Sequence, residues 1–141
     1  MFTQMANQNQ TFVKSDDLSL IVTRNNIKLA FMGTTNTTLT EYASNETVYG
    51  SNNTNMTINL VGSQNDTLKF SHIHGNLTIK DFNDSDTLSL RGTPFHTTAD
   101  EFSAIKTIDA HTQQLTIPGN GGATVTFIDS HFTAANLVLG H

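Results

Sequence analysis

The sequence predicts an all-β fold in which short strands stack as the coils of a parallel β-solenoid. Apolar and polar residues alternate over stretches of only three to five residues, and turn-forming residues separate the stretches. Thr and Asn account for 23 and 15 of the 141 residues, or about 27% together. Both residue types are poor helix formers, so the composition argues against a helical bundle.

The strand signal is a unit of three residues, apolar then polar then apolar. It occurs at 18–20, 27–29, 58–60, 68–70, 77–79, 88–90, 115–117 and 125–127. The first apolar residues after successive turns lie 12, 9, 10, 10 and 9 residues apart, and they are Ile27, Leu39, Val48, Ile58, Leu68 and Leu77. An antiparallel sandwich would give a similar spacing. We favour the solenoid because such short strands do not cross a sandwich face, whereas they suit coils stacked on their neighbours.

Asparagines occur at comparable turn positions along the chain. They are Asn36, Asn45, Asn55, Asn65 and Asn76. This pattern predicts either stacked amide ladders or residues that only mark turns. Asn-x-Ser/Thr triplets begin at Asn9, Asn36, Asn45, Asn52, Asn55, Asn65, Asn76 and Asn83. We interpret them as turn followed by strand, and glycosylation as the less favoured alternative.

The pattern changes after Leu90. Thr98 and Glu101 have the spacing of a capping box and predict one short helix ahead of Phe102, Ile105 and Ile108. Strands follow at 114–117 and 124–128, with a glycine-rich hairpin turn at 119–122 and a last apolar element at 132–139. We therefore divide the chain into a degenerate solenoid, 1–90, and a C-terminal β-rich cap, 91–141.

Residues 62–68, Gly-Ser-Gln-Asn-Asp-Thr-Leu, resemble the nonapeptide GGxGxDxUx of secreted RTX-like proteins. The copy keeps the second Gly, the Asp and the apolar residue. Gly33 and Leu39 match at the same offset, although Thr37 stands in place of the Asp. The resemblance implies a right-handed parallel β-roll, which in that family binds calcium.

A longer likeness covers residues 76–140. The stretch 77–90 is followed by a short helix, a hairpin and the close Phe132 to Leu139, and it is similar to the C-terminal end of proteins exported by type I secretion systems. Asn136 stands where that family usually has Asp. The resemblance implies an uncleaved export signal in 91–141, with the type I secretion machinery as partner and an extracellular or cell-surface location. It also fits the N-terminus, where no leader peptide is visible.

Charge and cysteine content exclude several classes of function. The net charge is -5, with 7 Lys and Arg against 12 Asp and Glu, so we expect neither nucleic-acid binding nor attraction to anionic lipid. The longest apolar runs, 20–22 and 29–32, are too short for membrane insertion. Without cysteine the chain has neither disulfides nor a thiolate nucleophile.

Calcium is the cofactor that the resemblance implies, and Ca²⁺ takes 6 to 8 oxygen ligands. The candidate metal residues are Asp66, in the repeat copy, and Asp84 and Asp86, in an acidic turn. Asp66 stands alone among Asn and Thr, and the acidic turn is equally compatible with Asp side chains that cap backbone amides. We therefore expect a fold that requires no cofactor, in which calcium is possible at one or two sites.

No catalytic motif is present, and the protein is predicted not to be an enzyme. His72 and His74 share one strand face, which would give at most a weak two-ligand metal site. Ile73 has the parity of the buried residues, so both histidines should point outward.

Three functions remain. The first is a structural extracellular module with a type I export signal. The second is a self-assembling surface or matrix protein, in the form of a homo-oligomer or filament, or an adhesin, because open coil ends present unpaired strand edges. The third is an accessory carbohydrate-binding or ice-binding module that uses Thr-rich faces such as 38–40 and 124–126.

Overall fold

The computed structural model describes residues 3–119 and 121–139, and it forms a parallel β-solenoid of about four turns. The strands up to residue 91 are β1 Thr3–Met5, β2 Gln10–Val13, β3 Ser19–Val22, β4 Lys28–Met32, β5 Thr35–Glu41, β6 Thr47–Ser51, β7 Thr54–Asn59, β8 Thr67–Ser71, β9 His74–Lys80 and β10 Thr87–Arg91. Among these ten strands, the odd-numbered ones lie in sheet A and the even-numbered ones in sheet B, and they pair with one another in parallel. The predicted solenoid is confirmed, and the sandwich alternative is wrong.

Equivalent apolar residues of successive coils stack into two inward-facing columns. The columns are Leu20, Leu39, Ile58 and Ile79 in sheet A, and Leu29, Val48, Leu68 and Leu88 in sheet B. Each of these side chains is at most 2% exposed. Burial of one such side chain stabilises the fold by about 1.5 to 3 kcal/mol, so the columns are the main source of stability.

Each position of the coil recurs one full turn later in the sequence. Side-chain hydrogen bonds between neighbouring coils join residues at sequence separations of 19, 20 and 21. The pairing of Leu20 with Leu39 and of Leu39 with Ile58 has the same spacing. The sequence period of the fold is therefore one whole coil, which contains one strand of each sheet.

Three corners of the coil repeat the same left-handed backbone conformation in successive turns. The residues there are Gly33, Asn52, His72 and Gly92 at one corner, Asn36, Asn55 and Gly75 at the second, and Asn26, Asn45 and Asn65 at the third, with φ between 52° and 82°. Asn and Gly adopt this conformation more readily than other residues, which explains why Asn is abundant. The predicted role of these asparagines as turn residues is confirmed.

Asn76 differs from the other predicted turn asparagines. Gly75 takes the left-handed position in its coil, and Asn76 follows it with its side chain on the outer face of sheet A. Its Oδ1 accepts hydrogen bonds from the hydroxyls of Thr124 and Thr126 at 2.7 and 2.8 Å. Its side chain therefore links two strands of sheet A.

After β10 the chain leaves the coil and then returns to it. The elements are α1 Thr98–Ser103, β11 Ile105–Asp109, β12 Thr112–Thr116, β13 Thr124–Ile128, a 3₁₀ turn Ala134–Asn136 and β14 Leu137–Leu139. Strands β11, β12 and β13 are antiparallel, which confirms the predicted hairpin between β12 and β13; its turn includes Asn120, which lies outside the described residues. β13 then pairs with β9 and β14 with β10, both in parallel. The segment 91–141 thus supplies the last coil of the same stack, and its division from 1–90 stays a prediction.

The predicted helix exists, but its cap lies one residue earlier than expected. Thr97, not Thr98, is the N-cap, and its hydroxyl accepts a hydrogen bond from the Asp100 amide at 3.0 Å. Glu101 is buried, so the expected capping box at Thr98 is wrong. The helix ends at Ser103, and Ile105 and Ile108 belong to β11 because pairing with β12 continues the sheet there.

An aromatic cluster lies beneath α1 at this end of the stack. Phe132 is its centre, with ring centroids 4.6 Å from Phe127, 5.2 Å from Phe82 and 6.0 Å from Phe102. Phe82 and Phe127 are fully buried, and Phe102 joins them from the helix. The cluster therefore anchors α1 to the last coil.

Candidate functional site

The three predicted metal residues lie near one corner of the coil but in different surroundings. Asp66 and Asp86 are each 1% exposed, one coil apart, and come directly before β8 and β10. Asp84 is exposed on the turn before β10, where its backbone carbonyl accepts a hydrogen bond from Asn136 Nδ2 at 2.9 Å. Only Asp66 and Asp86 belong to the interior.

Asp66 and Asp86 are part of a ladder of carboxyl groups that joins four coils. The Asp86 side chain accepts from the Asp66 amide at 2.9 Å, and the Asp66 side chain accepts from the Glu46 amide at 3.0 Å. Glu46 continues the series and accepts from the Ile27 amide at 2.7 Å. Each carboxyl group therefore satisfies a backbone donor of the neighbouring coil, which a buried amide requires.

The second oxygens of the two aspartates also have partners. Asp66 Oδ2 accepts from the Ser63 hydroxyl at 2.5 Å, and Asp86 Oδ2 accepts from the Asn83 amide at 3.0 Å. At the last step, Asn136 Nδ2 donates to the backbone carbonyl of Asp86 at 3.0 Å. The carboxyl ladder, Glu46, Asp66 and Asp86, thus ends on the coil that contains β14.

The sequence carries a signal for this ladder at a longer period than that of the nonapeptide. Glu46, Asp66 and Asp86 recur at a sequence separation of 20. Each is followed by Thr and then by an apolar residue. The nonapeptide has a period of nine residues, which is shorter than one full coil, so it does not relate Asp66 to Glu46. A search at the period of one full coil finds all three.

These residues do not form a shared ligand set for calcium. Both carboxyl oxygens of Asp66 and of Asp86 already accept hydrogen bonds, and Asp84 is on the surface. Among residues 3–119 and 121–139, no group of three or more His, Asp or Glu side chains is arranged to hold a metal ion. Calcium binding at Asp66, Asp84 or Asp86 stays a prediction. At Asp66 or Asp86 the ion would compete with the hydrogen bonds that their carboxyl oxygens accept.

Glu41 is a fourth buried carboxyl group beside the ladder, which the sequence analysis did not single out. It ends β5, pairs with Val22 and is 0% exposed, and neither of its carboxyl oxygens has a hydrogen-bond partner. Burial, together with repulsion from Asp66, Glu46 and Asp86, raises the pKa of Glu41 from 4.5 to about 9. At neutral pH this side chain is therefore protonated.

The ladder itself is also shifted toward the neutral form. Burial raises the pKa of Glu46 to about 7 and that of Asp66 to about 6, although the hydrogen bonds that they accept act in the opposite direction. Burial raises the pKa of Asp86 as well. On α1, burial raises the pKa of Glu101 to about 7, and neither of its carboxyl oxygens has a hydrogen-bond partner. Burial therefore shifts five interior carboxyl groups toward their protonated forms.

Within 3–119 and 121–139, the histidines do not converge on a site. His72 and His74 are exposed while Ile73 is 4% exposed, so both point outward as predicted. His111 lies 3.0 Å from Asp129 in an exposed pair near the hairpin. Neither arrangement supplies the four ligands of a structural metal site.

The Thr-rich face named in the sequence analysis is the outer face of sheet A. In register across adjacent strands it presents Thr38, Thr57, Thr78 and Thr126. At its C-terminal end the hydroxyls are engaged within the sheet, because Thr124 and Thr126 donate to Asn76 and the Asn76 amide donates to Thr78 at 2.6 Å. This part of the face therefore has fewer free donors than the sequence suggests.

Comparison of the chain with protein-family models, curated proteins and solved structures finds no match. In the described ranges, 3–119 and 121–139, no helix combines the length and the apolar character that a membrane crossing needs.

Proposed function

We propose that this protein is a non-enzymatic structural module of the extracellular space or cell surface, exported by a type I secretion system through its C-terminal segment 91–141. The observation that carries the proposal is that this segment supplies the last coil of the solenoid. β13 pairs with β9, bringing Val125 beside Leu77, and β14 pairs with β10, bringing Leu137 beside Leu88.

Late closure of the stack suits export. An exporter that reads a C-terminal signal acts after synthesis, on a chain that must not already be folded. Contacts between strands so far apart in sequence form slowly because loop closure precedes them, and here they also require the C-terminal residues. The last coil therefore closes only after the C-terminal end is complete, so this segment remains available to the exporter and joins the stack afterwards.

The interior supports a module that is stable without a cofactor. The ladder from Ile27 to Asp86 joins coils through backbone donors and side-chain acceptors, a role that calcium has in the rolls of the family that the chain resembles. We therefore propose that this solenoid folds outside the cell without requiring Ca²⁺.

Self-assembly into a filament receives less support from the arrangement. Head-to-tail growth needs two open ends, whereas α1 packs against β14 and the 3₁₀ turn at the C-terminal end of sheet B. Sheet A is extended there by the antiparallel strands β12 and β11, which differ from the parallel coils. A C-terminal end of this kind does not repeat the surface that a further coil would need.

Export is tested with a reporter fused ahead of the full chain, in cells that carry a working type I exporter. Scrambling residues 121–139 should retain the reporter in the cells, whereas scrambling residues 4–22, a segment of the same length in the first coils, should leave its release unchanged. Residues 91–141 alone should release the same reporter.

The control for this experiment is a known substrate of the same exporter, which must be released in parallel. Retention of the full-chain fusion while that substrate is released would contradict the proposal, as would equal release of the two scrambled fusions.

A further inference from the structure

The outer face of sheet B forms a shallow groove along the stack of coils. It has a volume of about 640 Å³ and lies across β6, β8, β10 and β14. Its lining includes Tyr49, Ser51, Lys69, Ser71, Arg91 and Val138. Because the strands are parallel and about 4.8 Å apart, the groove presents its side chains at regular steps along the coil axis.

The charge of this face is opposite to that of the whole protein. The net charge of the chain is -5, yet the six described strands of sheet B contain Lys28, Lys69 and Arg91 and neither Asp nor Glu. All three cationic residues are exposed. Glu46, Asp66 and Asp86 are buried, and the exposed Asp84 lies on the turn before β10, outside the strand itself. No acidic residue of the described ranges lines the groove, so it is a cationic surface on an acidic protein.

The groove also contains an aromatic ring and ordered rows of hydroxyl groups. Tyr49 is 38% exposed, and Lys69 Nζ lies 5.6 Å from the centre of its ring. Thr67 and Thr87 are partners in adjacent strands, and Ser71 donates to Ser51 at 3.2 Å. Tyrosine presents an apolar ring face and a polar hydroxyl, and here further hydroxyl groups lie beside it. This combination suits a ligand that has its own apolar ring face together with hydroxyl groups.

We propose that this groove binds an acidic polysaccharide, with sugar carboxylates at Lys69 and Arg91 and a sugar ring against Tyr49. The open groove accommodates an extended chain, and the Thr and Ser rows supply hydrogen-bonding partners for sugar hydroxyls. A nucleic acid or polyphosphate fits less well, because its dense charge needs many cations and the rest of this protein repels it. The inference does not depend on the route of export.

The test measures binding of the full-length protein to polygalacturonate, with dextran and inorganic polyphosphate as comparison polymers, in EDTA to prevent bridging by divalent ions. We expect binding to polygalacturonate, weaker binding at higher NaCl concentration and no binding to dextran. The double variant K69Q/R91Q should weaken the affinity at least about tenfold, because two charge-assisted hydrogen bonds are removed. Tyr49→Ala should also weaken it.

Lys106→Gln is the matched control, since Lys106 is exposed on β11 in sheet A and outside the groove. It should bind as the unmodified protein does, and thermal unfolding of all variants should be similar because the changed side chains are exposed. Absence of binding to polygalacturonate at low salt would overturn the proposal. Equal loss in Lys106→Gln, or equally tight binding of polyphosphate, would overturn it too, because binding would then follow net charge and not the groove.

Discussion

At the scale of single residues, the buried carboxyl groups give this protein an unusual dependence of stability on pH. The pKa of Glu41 is about 9 in the folded chain and about 4.5 in an unfolded one. Between these values the folded state holds a proton that the unfolded state has released, so the free energy of unfolding falls as pH rises. Glu46, Asp66 and Glu101 act in the same direction, up to about pH 7, 6 and 7 respectively.

Glu41→Gln tests this dependence. The amide has nearly the same shape but does not titrate, so the variant should lose a slope of up to about 1.4 kcal/mol per pH unit between about pH 4.5 and 9. Urea unfolding at several pH values measures it, and the variant should gain stability relative to the unmodified protein as pH rises.

Asp17→Asn is the control for this prediction, because Asp17 is exposed and is not among the groups that shift the pKa of the interior carboxyl groups. This variant should keep the slope that Glu41 gives the unmodified protein. A Glu41→Gln profile as steep as the original would mean that Glu41 is ionised in the folded state.

Residue parity predicted much of the interior but not its polar members. Alternation places Leu39 inward, and the same parity places Glu41 inward. Charged residues are rarely fully buried, so the residue type argues against this inward position. The sequence does not reveal that a carboxyl group at this position can remain neutral, because its neutrality depends first on burial and then on repulsion from Asp66 and Glu46, which the coil brings beside it.

At the scale of elements, the corner ladder is predicted to act without metal. EDTA should leave the midpoint of urea unfolding unchanged, because the oxygens of Asp66 and Asp86 bind backbone and hydroxyl donors. Asp86→Ala should lower stability by about 1 to 3 kcal/mol, since the amides of Asp66 and Asn83 lose their acceptor.

Asp84→Ala serves as the matched control, with a smaller loss expected because its side chain is on the surface. A midpoint that collapses in EDTA and recovers with Ca²⁺ would contradict a metal-free ladder.

The elements after residue 91 show why their boundaries were harder to predict. Thr98 and Glu101 predict the helix, but Glu101 packs into the interior and Thr97 is the N-cap. β11 was not expected as a strand. It is mostly exposed and lacks alternating burial, so its conformation follows from its pairing with β12, which no sequence pattern indicates.

At the scale of the whole molecule, the sequence period can be recognised wherever the coil is continuous. Residues 92–123 interrupt the period of one full coil, and the return of β13 to β9 and of β14 to β10 cannot be inferred from spacing. The apolar columns explain why the return is stable, since Leu137 continues the column of Leu88 and Phe127 that of Ile79. The pairing of inward-facing residues across 92–123 depends on tertiary contacts. The sequence period alone does not reveal it.

In a stack of this kind, substitutions at the ends and in the middle should have different effects on stability. Each coil contacts only its neighbours, so a substitution at an end should loosen that end locally. Phe12→Ala removes the half-buried ring that stacks on Phe31 at 5.2 Å, and it should increase amide exchange in β2 and β4 while β8 and β10 stay protected.

Leu68→Ala, in the fully buried column at the centre, should lower the free energy of unfolding by about 2 to 5 kcal/mol and increase exchange in coils on both sides. Hydrogen exchange measured by mass spectrometry on the two variants distinguishes these outcomes. Equal loss of protection throughout the chain in Phe12→Ala would show that the coils unfold as one unit, with coupling that extends beyond nearest neighbours.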